Sequence, residues 1–460
     1  MSDDAQNSGA TRKLVENLVS VDFGTLPADV VTAVKKCVLD YFGCTLFATQ
    51  TDMGKIITSY CRKGNSGEAS ILPGFERRYN PANAALANGT CAHGFELDDV
   101  HTPSISHPGA VVIPAALALA EEKNLSGKKL IAAIAVGYEA MGRVGSTIAA
   151  AHIAKGFHPT SSFGVFGSAA ACCSLLGLNA RQTENAFGLA GSMASGLSQF
   201  SISGSMVKRI HAGKAAQQGV IVSELAADGF TGPPAILEAK IGFCKVFKDD
   251  TSPILWNRLT DGLGETWIIR DAVFKPSPTC GVLHSSVEAI DRMKNDPDFS
   301  PEAIEKILVI GSNNLANTHN VFEPESILAA QYSLPFTLGM AVLGDLKDPT
   351  PYLSDAILSN KPVLAMARKV TTEFSEELEA LYPDHFSGHV KVFLKNGRVL
   401  EEKIIDPKGS PGNPFSYEEL YAKYATLAGT VIPKNKVAAL AERVAVLEAL
   451  GSARALLGDA

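Results

Sequence analysis

Residues 80–101 read NPANAALANGTCAHGFELDDVH, and the change of character inside this stretch sets the expectation for the whole chain. Asn80-Pro81 is a helix-opening pair, because an Asn side chain accepts from the first free N–H groups and proline tolerates the first helical position. The run from Pro81 to His93 is then dominated by Ala and Asn. Small residues of this kind let helices approach closely around a tight core. Beyond Gly94 the pattern breaks into a loop carrying Glu96, Asp98, Asp99 and His101, with His107 following the break at Pro103. A helical scaffold therefore hands acids and imidazoles to a loop at its end.

The same reading extends outward. Pro27-Ala28-Asp29 opens a periodic apolar run through Val34, Val38 and Phe42, and further helices are expected at 110–123, 126–150, 165–176, 181–197 and 211–228. β-branched alternation is scarce here, so residues 1–268 read as the first part of an all-α helical domain. The character changes after Trp267. Lys306–Ile310 is a short β-like run, and His389–Leu394, Asn396-Gly397 and Arg398–Ile404 read as a β-hairpin with a type I′ turn. Helices are expected between these runs, at 281–295, 326–344, 350–358 and 362–367, which makes residues 269–405 an α+β lid domain. The PKGSPGNP stretch, Pro407–Pro414, then leads to two more helices, and residues 406–460 are expected to return to the helical domain. The fold class is mainly α: a large all-α helical domain plus a smaller α+β lid domain.

Bulk properties exclude several function classes. A chain of 460 residues exceeds what one core usually serves. A net charge of −7 argues against nucleic-acid binding, which needs a basic face. The longest uncharged stretch, 185–207, is rich in Gly and Ser and includes Gln199, so it reads as buried backbone rather than a lipid-facing helix. No membrane partner is expected. The amino terminus, MSDDAQNSGATRK, lacks a secretory apolar region and an Arg-rich transit pattern, which favours the cytoplasm, with mitochondria as the alternative. The eight cysteines form no CxxC pair and read as buried reduced thiols, and their dispersion argues against an iron–sulfur cluster.

No GxGxxG, GxxxxGK[ST] or GxSxG motif points to a nucleotide or a serine nucleophile. The segment VKRIHAGK gathers Lys208, Arg209, His211 and Lys214 at a helix start, where free N–H groups and the helix dipole favour an anion. Its small apolar flanks imply burial, so it reads as a carboxylate or phosphate cradle rather than a solvated basic turn. ELDDVH has no HxH or HxxxH pattern, so a metal is not expected. Asp98 and Asp99 read as structural or orienting carboxylates, and His107 as a pocket residue. His158, in GFHPTSSFG, is by itself better explained as a satisfied core imidazole. His284 follows Cys280 in the segment after Lys275.

Taken together, these segments resemble one family. The stretches NPANAALANGTCAHGFELDDVH and SHPGAVVIPA, then GFHPTSSFGVFGSAAA, GSMVKRIHAGKAAQQG, SPTCGVLHSSVEAI and ILAAQYSLPFTLGMAVL run in the order of the MmgE/PrpD family. That group includes 2-methylcitrate dehydratase, cis-aconitate decarboxylase and iminodisuccinate epimerase. The resemblance implies a cofactor-independent lyase, a homodimer, and a small polycarboxylate substrate. It places pocket residues at Glu96, His107, His158, Lys208, Cys280 and Tyr332, where the family often has Asp at the Glu96 position. MVKR and CGVLHSSVEAI look most similar to the fungal-type decarboxylase branch, which also carries Cys at the Cys280 position.

The implied chemistry develops charge next to a carboxylate. It needs fixed cations, for which Lys208 and Arg209 serve, and an acid or base titrating near neutrality, for which His158 or His107 serves. Tyr332 or Cys280 would deliver a second proton, with Glu96, Arg209, His211 and His284 binding substrate. Dehydration and decarboxylation both fit. Epimerisation of a dicarboxylate such as iminodisuccinate, or polycarboxylate binding without turnover, are the alternatives.

Overall fold

A computed structural model describes residues 9–458 apart from 65 and 383. The amino-terminal octet, on which the expected location partly rested, lies outside the described residues. The chain divides into two compact units, one of Met1–Ala272 with Tyr417–Ala460 and one of Val273–Ser416.

The longer helices of the first unit are α1 Ala10–Ser20, α2 Ala28–Ala48, α3 Asp52–Cys61, α4 Pro81–Ala92, α5 Gly109–Glu122, α6 Gly127–Ser146, α7 Pro159–Leu176, α8 Ala180–Met193 and α9 Val207–Ala227. The cap read from Asn80 is present, its side chain accepting from Ala82 N at 2.9 Å. In the core α9 lies against α4 and α7, α6 against α7, and α4 against α5. Glycine makes the α4–α9 approach possible. A Cβ on Gly89 would stand 2.9 Å from Gly213 Cα, and one on Gly213 would stand 2.2 Å from Leu86 O.

Several boundaries differ from expectation for local reasons. The helix expected from 165 begins at Pro159, a favoured first helical residue. The one expected at 126–150 ends at Ser146, and a short helix, Ala149–Ala154, follows. The helix expected to reach 197 stops at Met193, where Ala194 turns extended with ψ 134°. The stretch 185–207, expected as buried backbone, becomes a connector beyond Met193 that exposes Leu197 and Met206. Nor is the unit purely helical. β1 Ala69–Ser70 pairs antiparallel with β2 Arg77–Tyr79, held by buried Glu121, whose carboxylate accepts from Ser70 N and Oγ at 2.8 and 2.9 Å.

The second unit contains a four-stranded sheet of β3 Ile304–Gly311, β4 Val370–Phe374, β5 Gly388–Leu394 and β6 Val399–Ile404, in the order β4-β3-β5-β6. β3 runs parallel to β4 and antiparallel to β5, and β5–β6 is the expected hairpin. Its turn is not type I′. Gly397 has φ +85° whereas Asn396 is not in the positive-φ region, and Gly397 N donates to Leu394 O at 2.9 Å. The loop is the three-residue kind, a tight turn closed by a left-handed glycine. The helix expected over 326–344 is broken into Ile327–Gln331 and α11 Leu334–Leu343, because the Ser333 hydroxyl caps a new start at Phe336 N; α10 is His284–Met293. The stretch 350–358 forms two 3₁₀ turns, Thr350–Leu353 and Asp355–Ser359. The Pro/Gly-rich stretch falls with this unit, since Phe274 N donates to Gly409 O and Lys408 N to Glu288 Oε2.

The chain then re-enters the first unit as α12 Tyr417–Ala428 and α13 Lys434–Ala445, with α12 against α2. Its buried Lys423 donates to Asp40 Oδ1 at 2.5 Å and to Leu97 O at 2.7 Å. A residue from the end of the sequence thereby pins the ELDD loop.

Candidate active site

α4 ends at Ala92 with His93 as its cap, and the chain turns through Gly94 and Phe95 to Glu96, whose φ of +57° is unusual for a residue with a Cβ. The turn buries the Glu96 carboxylate, which accepts from Lys208 Nζ and, at 2.5 Å, from Arg209 Nη1. Arg209 also donates to His93 O at 3.0 Å. The expected cradle had these cations leading into a helix at 211. α9 begins at Val207, so both stand in its first turn, where the dipole adds to their charge. Two cations and a helix start facing one carboxylate suit an anionic ligand. Lys214 points elsewhere, to Met193 O and Ser195 Oγ.

Four imidazoles gather beside this ion cluster. Ring centroids are 4.7 Å apart for His93–His107, 5.7 Å for His93–His158 and 5.2 Å for His158–His211. Phe200 closes one side, 4.9 Å from the His158 ring and 6.0 Å from Lys208 Nζ. His158 sits at the cap of α7, its N–H donating to Gly196 O at 3.0 Å. Its Nδ1 is 3.0 Å from His211 Nδ1, so one ring carries the proton there and the other accepts. Burial holds His158 well below the usual histidine range, and the neighbouring His93, Lys208, His211 and His107 push the same way. Burial, with Lys214 adding, lowers His211 to about 4. Both rings are neutral near pH 7.

The aspartates divide their roles. Asp99 caps α5, accepting from Gly109 N at 2.9 Å and Tyr138 Oη at 2.7 Å, and burial raises it to about 7. Asp98 meets the histidines instead. Its Oδ2 is 2.7 Å from His93 Nδ1 and 3.2 Å from His107 Nδ1, the second contact lying off hydrogen-bond alignment. Burial would raise Asp98, but attraction from His107 and His93 outweighs it and keeps the group ionised. His93 has no exposed surface, and burial lowers it to about 3 against the pull of Asp98. His93, Asp98 and His107 are the one grouping of metal-capable side chains among the described residues whose ligand atoms lie within 4.8 Å of one another. At 2.7 Å the His93–Asp98 contact is a hydrogen bond, which keeps a proton on Nδ1 and the atom off any ion in this arrangement.

The remaining sequence candidates belong to the second unit. Cys280 precedes a 3₁₀ turn, Gly281–Leu283, and its N–H donates to Gln331 O at 2.9 Å, which brings it beside Tyr332. The Tyr332 carbonyl accepts from His319 Nδ1 at 2.8 Å. His284 is buried at the start of α10, and Lys275, passed over in the sequence reading, is 3% exposed. His93 was noted beside the acidic loop but given no role, and the contact between His158 and His211 was missed. A histidine closing a helix five residues before Asp98 was the available signal for the first. The second has none, because 53 residues separate the partners. Among the described residues no cysteine forms a disulfide, and all but Cys280 are buried.

Residues 12–254 match the MmgE/PrpD N-terminal domain and residues 277–449 the MmgE/PrpD C-terminal domain. The chain belongs to the MmgE/PrpD family. Among its relatives, the cis-aconitate decarboxylase-like protein oryM of Aspergillus oryzae is 28% identical, with 99% of this chain and 98% of that protein covered. The cis-aconitate decarboxylase of Aspergillus terreus is 28% identical over 99% of this chain and 96% of its own. The human cis-aconitate decarboxylase is 26% identical over 93% and 89%. No helix of this MmgE/PrpD chain, among the described residues, is long and apolar enough to cross a membrane.

Proposed function

We propose that this chain is a lyase acting on a citrate- or aconitate-like polycarboxylate, and that its reaction is the decarboxylation of cis-aconitate. The observation that carries the reading is the buried cluster itself: Lys208 and Arg209 at the start of α9, four imidazoles beside them, and Glu96 and Asp98 between. The decarboxylase names of full-length relatives support this reaction over dehydration. In such a step the bond to one carboxylate breaks, its electrons shift across the neighbouring double bond, and a proton is added at the far alkene carbon. Fixed cations hold the remaining carboxylates, and a histidine supplies the proton. His107 and His158 are the proposed donors, with Lys208 and Arg209 as carboxylate ligands. The roles proposed for Cys280, His284 and Tyr332 rest on the sequence resemblance and are tested by their own variants.

Incubation of the purified protein with cis-aconitate and with 2-methylcitrate tests the reaction. Release of CO2 from the first supports decarboxylation, and an unsaturated product from the second without CO2 makes it a dehydratase. Solvent deuterium entering a dicarboxylate without net elimination would point to an epimerase. A His158→Ala variant is expected to lose most of kcat, and a near-normal kcat with only KM raised would remove His158 from the proton path. A homodimer in the cytoplasm is the proposed state, checked by sedimentation and by cell fractionation.

A further inference from the structure

We propose that His93 and Asp98 form a buried positioning dyad that aims the His107 imidazole at the substrate, a role that rests on the polycarboxylate-lyase reading. The carboxylates near the histidines are differently engaged. Glu96 is taken up by Lys208 and Arg209, Asp99 by the start of α5, and Asp98 alone meets two imidazoles through one oxygen. The 2.7 Å contact makes His93 the fixed partner: its Nδ1–H donates to Asp98 Oδ2, and its Nε2 is buried without a hydrogen-bond partner. That ring cannot touch solvent, yet it meets His107 edge-to-face at 4.7 Å and stacks with His158 at 5.7 Å. It is a wedge between the two candidate proton carriers.

His107 stands one small motion from a second bond to the same oxygen. Its Nδ1 lies 3.2 Å from Asp98 Oδ2, out of line and without a hydrogen-bond partner. A modest turn of the ring would align that bond, and with Nδ1 bound Nε2 would be the atom left for the substrate. The backbone holds the ring's base in place, because His107 N donates to Thr160 Oγ1 at 3.3 Å at the start of α7. His158 has a different partner, the nitrogen of His211, which does not bring a carboxylate to it. Carboxylates behind catalytic imidazoles set tautomer and direction in this way, and their loss falls on turnover rather than on binding.

The test reads both tautomer and kinetics. Histidine-selective ¹⁵N spectra of the wild-type protein should show His93 protonated at Nδ1 alone. An Nε2–H signal there would overturn the dyad with no variant required. Asp98→Asn should lower kcat about 100-fold or more while KM moves less than about threefold, as for other imidazole-orienting carboxylates. It should also shift the His107 side-chain signals, and Asp98→Glu should recover part of kcat. An unchanged kcat, or a raised KM at constant kcat, would refute positioning. If the protein turned over none of the acids, the lyase reading would fail while the His93 and His107 spectra still judged the dyad.

Discussion

Replacing Gly213 by Ala tests whether the site depends on the close seating of α9 against α4. An alanine Cβ would lie 2.1 Å from Thr90 Oγ1, 2.2 Å from Leu86 O and 2.8 Å from Thr90 N. Two of these atoms are backbone or next to it, so a rotamer change at Thr90 cannot relieve the overlap. Carbon and oxygen in contact need a little over 3 Å, so the helices must part by about 1 Å, and overpacking of this kind costs about 1–3 kcal/mol or more. α9 carries Lys208, Arg209 and His211, and α4 leads to His93 and Glu96, so the same shift opens the ion cluster. A displacement of about 1 Å at reacting groups commonly costs on the order of 100-fold in rate. Denaturant midpoints and kcat/KM for cis-aconitate measure the two effects, and Gly451→Ala, whose Cβ meets nothing within 4 Å, is the control. A Gly213→Ala protein with unaltered midpoint and unaltered kcat/KM would refute the seating argument.

Removing the shared carboxylate by Glu96→Gln should destabilise the protein by roughly 3–5 kcal/mol, the usual result of breaking a buried ion pair. Because a bound polycarboxylate restores negative charge near Lys208 and Arg209, excess citrate should narrow the gap to wild type in thermal melts. A gap that citrate leaves untouched would argue that the cations do not bind substrate. His152 supplies a pH test away from the chemistry. It is packed against Phe157, Phe163 and Phe247, and burial lowers it to about 4 although its Nδ1 bonds Phe247 O. A histidine lowered in the folded state takes up its proton first in the unfolded chain, so its stability contribution is present above about pH 6.5 and is lost as pH falls toward 4. Wild type should therefore lose about 2 kcal/mol relative to His152→Phe between pH 7 and 5. Parallel pH curves for the two proteins would contradict the burial argument.

Much of the scaffold was legible because it rests on local rules. Asn80-Pro81 caps α4 as its residue types dictate, and the alternation in 389–404 gives the hairpin its inward and outward faces. The turn type was misread because Asn-Gly allows two geometries, and the choice depends on the twist and register of the strands it joins. Most helix ends that differ were set by local caps and turns, and one by a distant partner. α9 starts before Lys208 because Glu96, more than a hundred residues away, offsets two cations at a helix start. Those residues could be nominated from composition, but not their pairing.

The sequence by itself determined the helical class, the α+β segment after residue 270, the absence of nucleotide motifs, and the set of polar residues to watch. It did so because caps, periodicity and motif order are short-range properties. Only the tertiary structure decided which carboxylate serves which cation, that Asp98 faces two histidines while Asp99 caps a helix, and that His158 meets His211. Those outcomes depend on burial. The same Asp is an ordinary surface acid in water and a fixed anion between imidazoles when α4, α9 and Lys423 of α12 close around its loop.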